Sequence, residues 1–134
     1  NIGIDTADCT KLSKDEIIEK YTNGLGFDVV VDAAGNNPAF RLAVDLARRE
    51  GEISKIGFGP APVGFSLDPL LLKGLSVHFA FSQTWDVWEK CVRLLAADVV
   101  DVEQIITHEL PLDQFEKGFD LIDNLEGIKV LLVP

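Results

Sequence analysis

The sequence is poor in the residues that build metal sites and disulfide frameworks. Its 134 residues hold two cysteines, Cys9 and Cys91, and two histidines, His78 and His108. The cysteines form no CxxC pair and stand far apart, so reduced, buried thiols in a cytoplasmic protein are the expectation. Two cysteines and two scattered histidines do not easily supply a zinc site. Basic residues are also scarce: 12 Lys and Arg against 22 Asp and Glu give a formal charge of −10. A chain this acidic repels phosphate backbones, which argues against nucleic acid as a partner. No apolar run approaches the ~20 residues a membrane helix needs. No charged-then-apolar signal peptide opens the sequence. Hydrophobic residues, by contrast, make up 47%. That excludes disorder, and a chain of this length buries roughly two-thirds of its unfolded surface. The first residue is Asn1 rather than Met, and the chain opens abruptly on a β-like segment, Asn1–Asp5. It is therefore read as part of a longer polypeptide.

Hydrophobic periodicity gives an alternating order of elements. Ser13-Lys14-Asp15-Glu16 is a capping box, opening a helix to about Thr22 with Ile17, Ile18 and Tyr21 as its apolar stripe. Phe27–Asp32 carries three valines in a row, which predicts a strand covered on both faces. Asn37-Pro38 predicts a cap followed by proline in the first helical turn. That helix carries Phe40, Ala43, Val44 and Ala47 at helical spacing and ends at Gly51. Glu52–Gly57 is the next strand, and a Gly- and Pro-rich loop runs to Asp68. One helical turn follows over Pro69–Lys73, closed by Gly74. Leu75–Phe81 alternates cleanly, with Leu75, Val77, Phe79 and Phe81 on one face. Thr84 caps a helix that points Trp85, Trp88, Cys91 or Val92, and Leu95 inward. A strand over Val102–Glu109, a helix marked by Leu112, Phe115, Phe119 and Ile122, and a strand over Ile128–Val133 complete the chain. Strands alternating with helices in this way predict an α/β fold with a mainly parallel sheet.

In open α/β sheets, ligands bind outside the carboxyl ends of the strands. Three such ends stand out: Ala33-Ala34-Gly35, Ile56-Gly57-Phe58-Gly59 and Phe79-Ala80-Phe81-Ser82. Small residues there let a flat ring approach the backbone, whose N–H and C=O groups can bond to an amide. The alternative is that they merely turn the chain after each strand. No G-x-G-x-x-G follows a strand, so the pyrophosphate-binding turn and its ribose-reading acidic residue are absent. Gly24-Leu25-Gly26 precedes a strand and is read as a turn. His78 reads as a solvated or interface histidine, and His108 as one that packs or bonds locally. Asp28 and Asp32 read as strand carboxylates bonded to nearby amides. Trp85 and Trp88 read as packing residues.

Five segments carry a family resemblance. Gly26–Gly35 resembles the "G-x-D-V-V-hydrophobic-D/E-x-x-G" segment of medium-chain dehydrogenases. Ile56-Gly57-Phe58, with the Pro-rich loop and Asp68–Lys73, resembles their next strand and connection. Ser82–Glu89 resembles a stretch of the sorbitol and threonine dehydrogenase branch. Ile106–Leu112 with Phe115 and Gly118-Phe119, and then Ile128–Pro134, resemble the C-terminal signature and final strand.

The resemblance implies a partial Rossmann fold: residues 1–82 as the C-terminal half of an NAD(P)-binding domain, and 83–134 as a segment returning to the catalytic domain. It implies an oxidoreductase that moves hydride between an alcohol or polyol and NAD or NADP. The catalytic zinc would lie in an N-terminal domain outside this stretch, so the stretch alone is expected to be inactive. Ala33 and Ala34 would sit under the nicotinamide ribose, and Gly35 beside them is a further cofactor-binding candidate. Ile56, Phe79 and Phe81, with Gly57 and Phe58 beside them, would offer backbone bonds to the carboxamide. Lys129 would approach the pyrophosphate, or else is a solvated strand-end lysine. The Leu75–Phe81 strand would pair with its twin across a dimer axis. Two other readings remain open: a zinc-free quinone or enoyl reductase of the same superfamily, and a non-enzymatic α/β interaction module.

Overall fold

Ser13 opens the first helix as its spacing predicts. Its hydroxyl accepts from the Glu16 amide, and the Glu16 carboxylate accepts in return from the Ser13 amide at 2.8 Å. Helix α1 runs Lys14–Thr22 and ends on Asn23 in the left-handed conformation. The computed structural model describes residues 3–134. Asn1 and Ile2 of the expected opening strand lie outside the described residues, and residues 3–5 form no strand. The chain divides into two compact units, residues 1–82 and 83–134. None of the described helices is long and apolar enough to cross a membrane.

In the first unit, β1 (Phe27–Asp32), β2 (Ala47–Lys55) and β3 (Ser76–Phe79) form a parallel sheet in that order. Helix α2 (Asn37–Leu46) and the short α3 (Asp68–Lys73) complete its β-α-β crossovers. The core lies on one face of the sheet, where Phe40, Ala43, Val44, Ala47 and Ile53 are buried together. Val30 packs against that cluster. Val29 and Val31, on the opposite face, are 56% and 57% exposed. Among the described residues the valine run is thus covered on one face, not two, because α2 and the core it buries lie on the Val30 side.

The ends of α2 depart from the sequence pattern. Asn36, not Asn37, is the cap, and its side chain accepts from the Ala39 amide at 2.9 Å. Asn37 instead donates to the Pro62 carbonyl, tying the following loop to the helix. The helix then stops at Leu46 rather than Gly51. The Lys73 ammonium explains the early stop: it donates to the carbonyls of Val44, Asp45 and Ala47 at 2.7–2.8 Å. These are acceptors that a helix end leaves without intrahelical donors, and a cation there also complements the helix dipole. Released from the helix, the chain enters β2 through a wide irregularity. Phe27 stands opposite Ala47 while Val29 stands opposite Glu52. Glu50 takes a positive φ of 57° inside it.

Strand β3 is shorter than the Leu75–Phe81 alternation predicts. Leu75 and Val77 are half-buried against the core, but Phe79 and Phe81 are exposed. Pairing with β2 ends soon after Phe79, so the last residues escape the sheet.

The second unit begins with α4 (Trp85–Ala96). Thr84 stands at its cap but makes no side-chain cap bond. Trp85, Trp88, Cys91, Val92 and Leu95 are exposed, so the inward face predicted for this helix is not covered by the described residues of its unit. The strand predicted over Val102–Glu109 is instead a 3-10 turn, Glu103–Ile105, followed by β4 (Ile106–Pro111). The Asp101 carboxylate accepts from the Glu103 amide and the Gln104 side chain, which favours the turn over extension. A second 3-10 turn, Leu112–Gln114, leads into α5 (Phe115–Asp123), which returns to β5 (Lys129–Val133), parallel to β4. Gly118 lets α5 lie close on this pair: a Cβ there would stand 3.4–3.5 Å from the Val130 and Leu132 side chains. Where the β4–β5 register shifts, the Thr107 hydroxyl accepts from the Ile128 amide and donates to the Lys129 carbonyl.

Replacing Lys73 with Met keeps the aliphatic stem and strips the donors from three carbonyls. Lys73→Met is expected to lower stability by about 2 kcal/mol in urea unfolding, the size of a lost charged hydrogen-bond set at a helix end. A change under about 0.5 kcal/mol would show that water caps the helix as well as the lysine does.

Candidate functional site

The three parallel strands of the first unit end on the same side, and one carboxylate organises two of those ends. Asp32, the last residue of β1, has a side chain 1% exposed. One of its oxygens accepts from the amides of Ala34 and Gly35 at 3.1 and 3.3 Å. The other accepts from the Lys55 ammonium at 3.0 Å. The Asp32 carbonyl accepts from the amides of Ile56 and Gly57 at 3.0 and 2.8 Å. Lys55, the last residue of β2, donates once more to the Gly57 carbonyl at 2.8 Å. Burial pushes the Asp32 carboxyl up, but the Lys55 hydrogen bond and the two amides outweigh it and hold the group below its ordinary value of 3.8.

The glycines at these ends bring chain against chain. A Cβ on Gly57 would strike the Gly35 backbone, with the Gly35 Cα at 2.7 Å and the Ala33 carbonyl carbon at 2.8 Å. A Cβ on Gly59 would strike the Gly35 carbonyl oxygen, and one on Gly35 would strike the Phe58 backbone. Gly35 also has a φ of 72°. The room that small residues were expected to leave for a flat ring is taken, at Gly35 and Gly57, by the neighbouring strand-end loop.

The open space lies beside this interlock. Lys55, Ile56, Phe58, Phe79 and Phe81 line a shallow cleft of about 240 Å³ with Gly57 and Gly59 in its wall. The Phe58 and Phe81 rings stand 5.8 Å apart, tilted by 51°, and both are largely exposed. The Ile56 amide is engaged with Asp32, which leaves its carbonyl for a ligand. Ala33 and Ala34 line a separate hollow of about 180 Å³ between the end of β1 and Ala39, Leu42 and Leu46 of α2. Gly35 joins the two through its approach to Phe58 and Gly57. Five of the nine candidates therefore share one cleft, Ala33 and Ala34 share its neighbour, and Gly35 links them. Lys129 belongs to the second unit, where it is exposed at the start of β5 beside an apolar groove lined by Phe115, Phe119 and Ile122.

Lys55 is the residue the sequence pattern missed. It ends a strand that also carries Arg48, Arg49, Glu50 and Glu52, so its charge did not set it apart in the sequence. The remaining polar candidates are local. Asp28 is exposed and pairs with Arg48 at 2.6 Å rather than with amides. The His78 imidazole stands 4.0 Å from the Glu52 carboxylate on the neighbouring strand, and the His108 ring meets the Thr107 hydroxyl at 3.0 Å. Both cysteines are exposed rather than buried. Among the described residues, no group of three or more His, Cys, Asp and Glu could hold a metal ion.

The Asp32 geometry fixes a pH dependence. Its folded pKa lies below 3.8, so its stabilising effect is present above that value and is lost as pH falls through the folded pKa. Asp32→Asn is expected to cost about 3 kcal/mol at neutral pH by leaving the half-buried Lys55 without its anion. It should also flatten the acid limb of stability measured by urea unfolding below about pH 4. An acid limb unchanged in Asp32→Asn would assign it to other carboxylates.

Comparison with known proteins agrees with this architecture. The family described as zinc-binding dehydrogenase matches residues 3–97. The sorbitol dehydrogenase of Halalkalibacterium halodurans is 33% identical over 99% of this chain and 39% of its own length. The L-threonine 3-dehydrogenase of Bacillus velezensis is 33% identical over 89% of this chain and 35% of its own. Among solved structures, the alcohol dehydrogenase of Thermus sp. ATN1 superposes with a TM-score of 0.86 at 30% identity, covering 98% of this chain and 38% of that one. The chain thus spans about two-fifths of the length of the curated relatives it matches. Family match, relatives and superposed fold agree: the chain belongs to the zinc-binding dehydrogenase family.

Proposed function

We propose that this chain is the nicotinamide-binding half of the cofactor domain of a zinc-type alcohol or polyol dehydrogenase that uses NAD or NADP. The observation that carries this is the cleft at the carboxyl ends of β2 and β3, lined by Ile56, Phe58, Phe79 and Phe81. Ligands of open α/β sheets bind at that edge. Exposed rings beside a free backbone carbonyl suit a flat aromatic ring that carries an amide.

In this proposal the backbones of Ile56, Phe79 and Phe81 hold the carboxamide and so decide which ring face meets the substrate. Gly57 and Phe58 shape the cleft wall, and the Phe58 and Phe81 rings shield one side from water. Ala33, Ala34 and Gly35 lie under the ribose. Lys129 meets the pyrophosphate, where a cation is favoured. When bound, the nicotinamide supplies the site that accepts or gives hydride. The substrate is a small alcohol or polyol, a reading drawn from the relatives. The zinc is assigned to residues other than those described, whose donors do not cluster. Residues 83–134 then lead back toward the catalytic domain.

A dimer through β3 belongs to the same proposal. Among the described residues strand β3 pairs with β2 alone, which leaves its other edge for a second copy.

Two measurements test these statements. In an amide-resolved NMR titration of the 134-residue chain with NADH, shifts are expected at residues 33–35, 56–58 and 79–81. Binding should be weak, in the millimolar range or beyond, because no Gly-rich turn holds the pyrophosphate. Shifts confined to other residues would sink the site assignment, and micromolar affinity would sink the expected weakness. Analytical ultracentrifugation should find dimer at high concentration that a proline in β3, Val77→Pro, abolishes. Monomer alone at every concentration would count against the β3 interface.

A further inference from the structure

We infer that Lys55 is a positioning residue of the cofactor cleft, holding the ends of β1 and β2 together through Asp32 so that the Ile56–Phe58 backbone presents a fixed edge to the nicotinamide. This rests on the proposed cofactor function and adds to it a residue that does not itself belong to the binding set.

The case is geometric. Lys55 ends β2 and Asp32 ends β1, paired strands in which the two residues stand directly opposite. Beyond this last rung the backbone ladder reaches only as far as the Ile56 and Gly57 amides on the Asp32 carbonyl. Here the ammonium bridges the two strand ends, donating to the Asp32 carboxylate at 3.0 Å, and also grips the Gly57 carbonyl of its own loop at 2.8 Å. Asp32 passes the restraint on, through its side chain to Ala34 and Gly35 and through its carbonyl to Ile56 and Gly57. Two backbone amides beside the candidate site thus hang on the carboxylate of the ion pair, and two more on the carbonyl of the same residue. The glycine interlock requires it: with Gly35 pressed against Gly57 and Phe58, small shifts of either loop displace the other.

The ion pair sits where it remains strong. The Lys55 side chain is 19% exposed, and its ammonium lies 5.4 Å from the centre of the Phe40 ring, which also favours a cation. Its charge is cancelled by Asp32, so the residue holds the cleft without adding net charge to it. A valine or isoleucine at this position would fit the strand equally well and would leave both Asp32 and the Gly57 carbonyl without this donor.

The test uses the 134-residue chain with reduced nicotinamide mononucleotide, which carries the carboxamide and lacks the adenosine half, and with AMP as the complementary probe. Lys55→Met leaves a buried carboxylate unpaired and can unfold the unit. The working variant is therefore the double substitution Lys55→Met with Asp32→Asn, which removes both charges. Its dissociation constant for the reduced mononucleotide should rise about tenfold, while any AMP binding is unchanged. Amide exchange should quicken at Ala34, Gly35, Ile56 and Gly57. Lys55→Arg, which keeps a cation on Asp32, should recover most of the affinity. Lys73→Met, which loosens the same unit far from the cleft, should leave mononucleotide affinity unchanged. Wild-type affinity in the double variant overturns the role of Lys55 and leaves the cofactor reading standing. Loss of affinity in Lys73→Met equal to that in the double variant overturns it as mere destabilisation. A wild-type chain in which the mononucleotide shifts no residue of the cleft overturns the cofactor reading itself, and the inference with it.

Discussion

Asp32 is the group on which the carboxyl edge of the first unit depends. A carboxylate buried this deeply is unfavourable unless its charge is matched and its oxygens are all engaged. Both conditions are met by neighbours that define the cleft: Lys55 supplies the charge, and Ala34 and Gly35 supply amides. The Asp32 carbonyl then serves the next loop through Ile56 and Gly57. A single residue at the end of one strand therefore dictates the path of two loops. The glycines follow as a consequence, since loops drawn this close leave no room for side chains between them.

A comparable logic governs the other end of α2. The helical spacing of Phe40, Ala43, Val44 and Ala47 would carry a helix to Gly51, yet the chain turns into β2 at Ala47. Hydrogen-bond supply decides between the two. Lys73 arrives from α3 with three donors and takes the carbonyls that a longer helix would have engaged itself. Ala47 is then free to be buried as the first residue of a strand rather than the last of a helix. The irregular rungs opposite Asp28 absorb the extra residues, with Glu50 in a left-handed conformation and Arg48 paired to Asp28. The helix and the sheet are thus joined by a lysine twenty-six to twenty-nine residues downstream.

That distance explains what the sequence revealed and what it hid. Signals that act within a few residues were readable: the Ser13 capping box, the Gly74 stop after α3 and the alternating order of parallel strands. The neighbourhood of the strand ends was readable for the same reason, to within two residues at β2 and β3, and with it the cleft residues Ile56, Phe58, Phe79 and Phe81. Interactions across sequence were not. Lys55 and Lys73 look alike in the chain, each a charge beside apolar residues, yet one grips a carboxylate on another strand and the other caps a helix. The glycine pattern was visible, but spacing alone does not tell a glycine that admits a ligand from one that admits another loop. Trp85 and Trp88 show the converse limit: their helical spacing marks an apolar face correctly, while burial depends on what lies opposite.

Charge adds a constraint of its own on what such a cleft can hold. With a net charge of −10, the chain as a whole disfavours anions and mildly favours cations. Lys55 does not offset this at the cleft, because Asp32 neutralises it at 3.0 Å. The cleft therefore presents backbone dipoles and aromatic rings without net charge, on an acidic body. An oxidised nicotinamide is a cationic ring with a neutral amide, and it meets no opposing field there; a phosphate would. The anionic part of a dinucleotide needs a cation that is not already matched. Lys129 has no ion pair among the described residues. Ion pairing thus separates the two lysines: Lys55 is matched by Asp32 within the first unit, while the exposed Lys129 of the second unit keeps its charge toward solvent.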